Sequence, residues 1–379
     1  MTFDRDTKVG IVTDVYDKPQ KGGIAYYIQR LVKALKEICP ERLCLIHSRF
    51  SNDPLYEGVE EILYPFFSVK AYHDFPLIFK TSKIFERKKV NLLHLPSIRP
   101  SHLPFFLMKD FKYVITMHGL CFWQPVSKPR IFTMSLPKWV YYKLVVSSFP
   151  FIQKKVNKFI AVSDSVKNEL INKLKVSQEK IEVIYEAPGE IFQPTRKNLL
   201  NSHLINYPYI LSGDLNKEMI TIFYQLKNLG IRHKLVILNN EQFTSYIEKL
   251  NLKKEIIFLG RVSPEILADL YPRASCFFNF SLYEGFGLMP LEAMASGCPV
   301  VSSNIASLPE VVGEGGILLS PKKKDEWVEK IYYILTHQDF RRDLIRKGLN
   351  QAKKFSWEKA AKETIKVYEE VLNEDSPGK

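Results

Sequence analysis

Long apolar runs are missing from this chain of 379 residues: none approaches the ~20 consecutive apolar residues that a bilayer span needs. The opening, Met1-Thr2-Phe3-Asp4-Arg5-Asp6-Thr7-Lys8, is polar and lacks the apolar centre of a secretory signal. Both absences lead to the expectation of a cytoplasmic protein. The five cysteines (Cys39, Cys44, Cys121, Cys276 and Cys298) are odd in number, widely spread and form no Cys-x-x-Cys, which argues for reduced thiols and against a zinc site. Low-complexity tracts and fixed-period repeats are absent. Neither half shows Gly-x-Gly-x-x-Gly after its first strand, which disfavours a dinucleotide-dependent dehydrogenase.

Acidic residues are scarce in one region. Between residues 101 and 160, nine Lys or Arg (109, 112, 128, 130, 138, 143, 154, 155 and 158) face the single acid Asp110. Phe122, Trp123, Phe132, Trp139, Tyr141 and Tyr142 lie among them. Bases interleaved with aromatics suit an anionic membrane surface or a phosphate-bearing acceptor, and a plain solvated basic face stands as the alternative. No recognised nucleic-acid motif accompanies the stretch, so nucleic acid is not expected as a partner.

What is present is alternation. The length suits two domains of roughly 150–200 residues. Strands are predicted at Val9–Thr13, Leu43–His47, Leu92–Leu95, Tyr113–Met117 and Phe159–Val162. After Gly22-Gly23, the stripe Ile24, Tyr27, Ile28, Leu31, Val32, Leu35 and Ile38 predicts a helix with one buried face. Pro188, Gly189, Pro194 and Pro208 mark residues 186–208 as a linker. A second series follows, with strands predicted at Tyr209–Ser212, Lys234–Leu238, Ile256–Leu259, Cys276–Phe280 and Pro299–Ser302. Ser263-Pro264 reads as an N-cap followed by Pro at the first helical position. Trp357, Ala360, Ala361, Thr364, Ile365, Tyr368 and Leu372 form the face of a terminal helix after Ser356, which either domain could receive. Strands alternating with helices imply parallel sheets covered on both faces.

The densest chemical signal is residues 281–297, Ser-Leu-Tyr-Glu-Gly-Phe-Gly-Leu-Met-Pro-Leu-Glu-Ala-Met-Ala-Ser-Gly. A strand leads into a Gly-x-Gly turn, then a short helix that Pro290 is expected to open and Gly297 to close. Glycines let backbone amides approach a ligand, and a helix N-terminus offers N–H groups to phosphate. Glu284 and Glu292 stand eight residues apart across the turn. A carboxylate can accept from two hydroxyls, as a sugar or ribose diol requires. The same two residues could instead be a solvated loop glutamate and a surface helix glutamate, or the acid pair of a glycosidase. Ser163, in Ala161-Val162-Ser163-Asp164-Ser165, reads as a helix N-cap.

Glu284 to Glu292 resembles the Glu-x7-Glu motif of retaining glycosyltransferase family four, the group-one transferases of GT-B fold. The likeness extends over Phe258-Leu259-Gly260-Arg261-Val262-Ser263, residues 267–274 (LADLYPRA), 291–303 (LEAMASGCPVVSS) and 308–316 (LPEVVGEGG). It is dense from 256 to 320 and weaker elsewhere. The resemblance implies two facing Rossmann-like doubly wound domains: residues 1–190, which bind acceptor and receive a C-terminal helix 356–374 crossing back, and residues 207–355, which bind the donor. It implies that Glu292 holds the donor ribose, that Glu284 touches the transferred sugar, and that the amides of Gly285, Phe286, Gly287, Leu288 and Met289 meet the sugar and diphosphate. Arg261 and Val262 fall where the family brackets the nucleobase. Gly22 and Gly23 resemble its glycine loop at the distal phosphate, though a Gly-Gly pair is also a plain tight turn. His118, in Thr116-Met117-His118-Gly119, resembles its histidine near the sugar's 6-hydroxyl, though a strand-end histidine is also a common structural residue.

One departure stands out. Where the family usually carries Arg and Lys beside the diphosphate, this chain has Leu211-Ser212-Gly213-Asp214-Leu215-Asn216-Lys217-Glu218. Asp214 takes the Arg place, and Lys217 remains as a phosphate candidate. The resemblance thus implies transfer of a hexosyl group, with retention, from a nucleoside diphosphate sugar (GDP-mannose or a UDP-hexose) to a glycan or lipid-linked hydroxyl. The stretch 303–310 leans toward mannosyl- or glucosyltransferases of surface polysaccharide. No Asp-x-Asp motif offers a metal site beside these elements, so neither metal nor cofactor is expected. A catalytically impaired sugar-nucleotide-binding protein and a sugar phosphorylase on the same fold are the alternatives. Peripheral association with the inner face of a membrane, through residues 109–158, completes the expectation.

Overall fold

The computed structural model describes residues 7–16, 22–47, 53–64, 82–108, 110–120, 136–194, 205–239 and 241–374. Cys121, much of the basic aromatic stretch and residues 195–204 of the linker lie outside them. The chain divides into two compact units, Met1–Glu186 with Trp357–Lys379, and Ala187–Ser356.

The first unit is built on seven parallel strands: β1 (Lys8–Val12), β2 (Leu43–His47), β3 (Glu60–Leu63), β4 (Val90–Leu95), β5 (Lys112–Met117), β6 (Lys158–Ala161) and β7 (Ile181–Val183). Their order is β3-β2-β1-β4-β5-β6-β7. The chain starts in the middle, runs outward to β3, and returns to lay β4 on the other side of β1. Such a reversal opens a crevice at the carboxyl ends of β1 and β4, where doubly wound sheets take ligands. Helices α1 (Gly23–Ile38), α2 (Leu136–Lys155) and α3 (Asp164–Leu174) connect the strands.

The second unit repeats the plan with six parallel strands: β8 (Tyr209–Ser212), β9 (Lys234–Ile237), β10 (Ile256–Phe258), β11 (Cys276–Asn279), β12 (Val300–Ser303) and β13 (Ile317–Leu319), in the order β10-β9-β8-β11-β12-β13. Its reversal lies between β8 and β11, which pair through Ile210↔Cys276 and Leu211↔Phe277. Helices α4 (Lys217–Asn228), α5 (Thr244–Lys249), α6 (Pro264–Arg273), α7 (Leu288–Ala295), α8 (Leu308–Val312), α9 (Lys324–Thr336) and α10 (Gln338–Ala352) complete it.

The terminal helix α11 (Trp357–Asn373) belongs to the first unit. Its Ala360, Ala361, Ile365, Tyr368 and Val371 join Tyr27, Ile28, Leu31 and Leu35 of α1 in one apolar core. Burying a side chain the size of Ile or Val contributes roughly 1.5–3 kcal/mol, enough for this stripe to hold the helix in place. The stripe differs in detail from the expected one: Val367 and Val371 are buried, whereas Trp357 and Leu372 are only partly so.

Three short strands escape a reading based on apolar runs. β3, β7 and β13 are edge strands of three or four residues, each with a single neighbour, and β3 and β7 carry glutamates. Three interior strands begin one residue earlier than expected, each at a lysine: Lys8 of β1, Lys112 of β5 and Lys158 of β6. Lys112 donates to the Val371 and Leu372 carbonyls at 2.8 and 3.2 Å. Lys158, 6% exposed, pairs with Glu370 at 2.6 Å. Long stems let both ammonium groups reach the end of α11 while the strands stay apolar.

Candidate functional site

At the reversal of the second sheet, β11 ends and residues 280–287 cross to α7. The Glu284 carboxylate stands in this turn, and burial pushes its pKa up; a hydrogen bond from Ser281 opposes this, and the Asp214 carboxylate adds to it. Glu292 lies one turn into α7 and is only 6% exposed, which rules out a solvated surface glutamate. A carboxylate so enclosed must be held by hydrogen-bond donors. The turn itself is anchored: Asn216 Nδ2 donates to the Phe280 carbonyl at 3.1 Å, and the Ser307 hydroxyl reaches the Glu284 and Phe286 carbonyls at 3.0 and 2.7 Å. The Phe286 ring packs edge-on against Phe355 at 5.9 Å.

α7 starts two residues before the expected Pro290, at Leu288, with Gly287 at its N-cap in the left-handed region (φ 110°). Pro290 therefore occupies the third helical position, where its missing N–H still has no intrahelical acceptor to serve. Gly297, at φ 75°, follows the helix end as anticipated. No side chain caps α7 and no acid sits in its first turn. Two other helices of the unit differ. Asn216 caps α4 by accepting from Met219 N at 2.9 Å, and Ser263 caps α6 by accepting from Ile266 N at 3.4 Å. An uncapped helix start of positive polarity beside a glycine turn is suited to an anion.

The other second-unit candidates stand on separate elements of the same unit. Met289, second in α7, lies against the end of β8: a Cβ on Gly213 would fall 2.5 Å from its sulfur. Asp214 is exposed, and its carboxylate accepts from Asn239 and Gln242 at 3.1 and 3.3 Å. Lys217 is the first residue of α4, with its ammonium 5.8 Å from the Tyr246 ring centroid. Exposed Arg261 and half-buried Val262 lie between β10 and α6, after Gly260 at φ 68°.

In the first unit, Gly22 is the N-cap of α1, and Gly23 its first residue, again without a side-chain cap. His118 follows β5. Its Nδ1 lies 2.8 Å from Glu186 Oε1 and its Nε2 3.0 Å from the Pro96 carbonyl, with Tyr27 edge-on at 4.6 Å. A carbonyl can only accept, so Nε2 donates to Pro96, while Nδ1 faces the Glu186 carboxylate. Behind it runs a buried chain: Tyr27 hydroxyl to Thr116 at 3.0 Å, Thr116 to His94 at 2.8 Å, and His94 to the Tyr368 hydroxyl at 2.6 Å. Burial, with nearby His118, pushes the His94 pKa down to about 3, so this ring stays neutral.

Ser163 caps α3, accepting from Val166 N at 3.1 Å, in keeping with its reading as an N-cap. The four described cysteines are buried thiols, and burial raises Cys39, Cys44 and Cys276 to about 11, 12 and 12. Among the described residues no three His, Cys, Asp or Glu gather as a metal-binding set. Residue patterns missed three contributors. Ser307 looks like an ordinary cap before Leu308-Pro309, Asn216 sits in a segment noted only for its charges, and Glu186, 68 residues from His118, carries no local signal.

Comparison with known proteins converges on one family. Residues 21–187 match the model described as Glycosyltransferase Family 4, and residues 216–351 the model described as Glycosyl transferases group 1. An uncharacterized glycosyltransferase of Methanocaldococcus jannaschii is 26% identical over 365 residues, spanning 93% of this chain and 96% of that protein. The O-antigen chain mannosyltransferase B of Escherichia coli is 46% identical over 164 residues, but those residues span 43% of this chain and 38% of that protein. Sucrose-phosphate synthase from Thermosynechococcus elongatus matches with a TM-score of 0.76 at 17% identity, covering 97% of this chain and 99% of that one, a likeness of fold.

Proposed function

Because this chain belongs to the group-one glycosyltransferases of family four, we propose that it moves a hexosyl group, mannosyl in the first instance, from a nucleoside diphosphate sugar to a hydroxyl of a glycan or lipid-linked acceptor, with retained anomeric configuration and without a metal ion. The observation that carries this reading is the pair Glu284 and Glu292 flanking an anchored glycine turn into an uncapped helix, at the point where the sheet order reverses. The Escherichia coli relative, an O-antigen chain mannosyltransferase, supports mannose.

Glu292 is then the acceptor for the ribose hydroxyls, and Glu284 the acceptor for hydroxyls of the sugar. The amides of residues 285–289 receive the diphosphate, with Lys217 and Arg261 as the cation candidates of the same unit; Gly22, Gly23 and His118 are the ligand candidates within the first unit. In the reaction the acceptor oxygen bonds to the anomeric carbon as the bond from that carbon to the phosphate oxygen breaks. The departing phosphate oxygen takes the acceptor's proton, so no separate base is required. Preorganised amides facing developing negative charge are usually the largest single contribution to such a barrier.

Asp214 supports a second reading, binding without turnover, because a carboxylate replaces the usual cation and raises the proton affinity of Glu284. The acceptor surface is proposed to face an anionic lipid bilayer. On α2, Val146 and Phe151 are exposed, as are Lys143, Lys154 and Lys155. Lys112 and Lys158 take no part, being committed to α11. Among the described residues no helix is long and apolar enough to cross a membrane.

The test supplies nucleoside diphosphate hexoses with candidate lipid-linked acceptors in the presence of a chelator. Nucleoside diphosphate release coupled to a product of unchanged anomeric configuration is expected. Inversion, or activity abolished by the chelator, contradicts the mechanism; binding with no release under any acceptor favours the second reading.

A further inference from the structure

Ser307 stands at the N-cap position of α8, where a serine ordinarily accepts a hydrogen bond from the helix's own first-turn amides. It makes no such bond. Its backbone is already helical there (φ −78°, ψ −12°), and its side chain is fully buried. The hydroxyl turns instead toward a segment more than 20 residues earlier, 2.7 Å from the Phe286 carbonyl and 3.0 Å from the Glu284 carbonyl. A hydroxyl has one proton to donate, so the two carbonyls share it, the nearer one more strongly.

A trans peptide carries its C=O and N–H on opposite sides of one rigid plane. Holding the Phe286 carbonyl therefore also fixes the Gly287 N–H, directed away from Ser307. Holding the Glu284 carbonyl fixes the Gly285 N–H in the same way, two peptide planes earlier, and sets the backbone from which the Glu284 side chain projects. Immediately after Gly287 come Leu288 and Met289, the uncapped start of α7. The Leu308 side chain adds a second restraint, since a Cβ on Gly287 would meet its Cδ2 at 3.0 Å. A cap position left unused locally and committed to a distant glycine turn is a local rule broken for another purpose.

We propose that Ser307 is a positioning residue for the diphosphate of the donor: its hydroxyl sets the peptide planes of the 284–287 turn, so that the amides leading into α7 face the phosphates. It touches neither donor nor acceptor. The inference rests on the reading of this turn as the phosphate-binding element.

The test compares affinities for a nucleoside diphosphate and for the matching nucleoside, by calorimetry, in the wild-type protein, Ser307→Ala and Ser307→Cys. The nucleoside reports Glu292 and the integrity of the unit, and the diphosphate adds the turn. Ser307→Ala is expected to weaken diphosphate binding about tenfold, the scale of one net hydrogen bond, while nucleoside affinity stays within about twofold. Ser307→Cys, nearly isosteric with a weaker donor, should fall between. Equal losses for both ligands, or no loss for either, overturn the proposal by making Ser307 merely structural, as does a cysteine variant with the full wild-type ratio. A wild-type protein that binds the diphosphate no better than the nucleoside instead removes the reading of the turn, and the inference with it.

Discussion

Each unit opens a helix from a glycine turn with no side-chain cap, yet the two turns are constrained differently. In the second unit Gly287 sits at φ 110° with Leu308 closing on the space a Cβ would fill, so the protein's own backbone demands glycine there. In the first unit Gly22 is extended (φ −112°, ψ −174°), and a Cβ on Gly22 or Gly23 meets nothing within 4 Å. The fold does not require glycine at either position. Close approach of a ligand to the amides does, under the proposed function. One turn is thus shaped by packing and the other left open, and substitutions separate the two.

The largest effect is expected from Gly287→Ala. A non-glycine residue forced into that region costs on the order of 1–3 kcal/mol. In a unit of this size each kcal/mol lowers the melting temperature by roughly 2–4 °C. Calorimetric melting should show that loss together with weaker donor binding; a variant with unchanged stability breaks the contrast. Gly23→Ala should do the reverse. Its stability is expected to hold or rise by about 0.4–1 kcal/mol, through a less flexible unfolded chain, while donor binding weakens. If donor affinity is untouched, Gly22-Gly23 is a plain turn.

Acid sharpens the comparison further. His94 has a folded pKa of about 3 against about 6.5 unfolded, so the unfolded chain takes the proton first as pH falls. The stability tied to neutral His94 is complete above about pH 6.5 and drains toward pH 3, at up to about 1.4 kcal/mol per pH unit for one proton. Urea titrations between pH 7 and 5 should show the first unit weakening, with a shallower slope in His94→Asn. Glu284 runs in the opposite sense. Its carboxyl is raised by burial, so its ionised form disfavours the folded second unit above the ordinary carboxylate range, and lower pH relieves this. Glu284→Gln should accordingly raise the melting temperature slightly at neutral pH while abolishing transfer, the smallest stability change of the set and one that an unchanged or lower value refutes.

Much of this was legible in the sequence because parallel strands buried on both faces are continuous apolar runs. β2 and β8 coincide with their predicted limits, and the α1 and α11 stripes follow the helical period. The edge strands β3 and β7 were not legible, since a strand with one neighbour need not be apolar throughout, and β13, though apolar, is only three residues long. Strand starts were hidden by Lys112 and Lys158, whose charges are exported along their own stems. At the candidate site the carboxylate pair and the glycines could be read locally, because the ligand-facing elements are consecutive. Ser307 and Glu186 could not, because each acts on a segment that only the folded chain brings near. Why Asp214 occupies its position has no explanation in the packing: it is exposed and bonded to Asn239 and Gln242.

The central claim is that the turn between Glu284 and Glu292 binds a nucleoside diphosphate sugar. Thermal stabilisation of the wild-type protein and Glu292→Ala by a panel of such donors tests it directly. At a hundredfold excess over its dissociation constant, one donor should stabilise the wild-type protein by about 2.7 kcal/mol, and that gain should vanish in Glu292→Ala. No response to any donor, or an equal response in the variant, would contradict it.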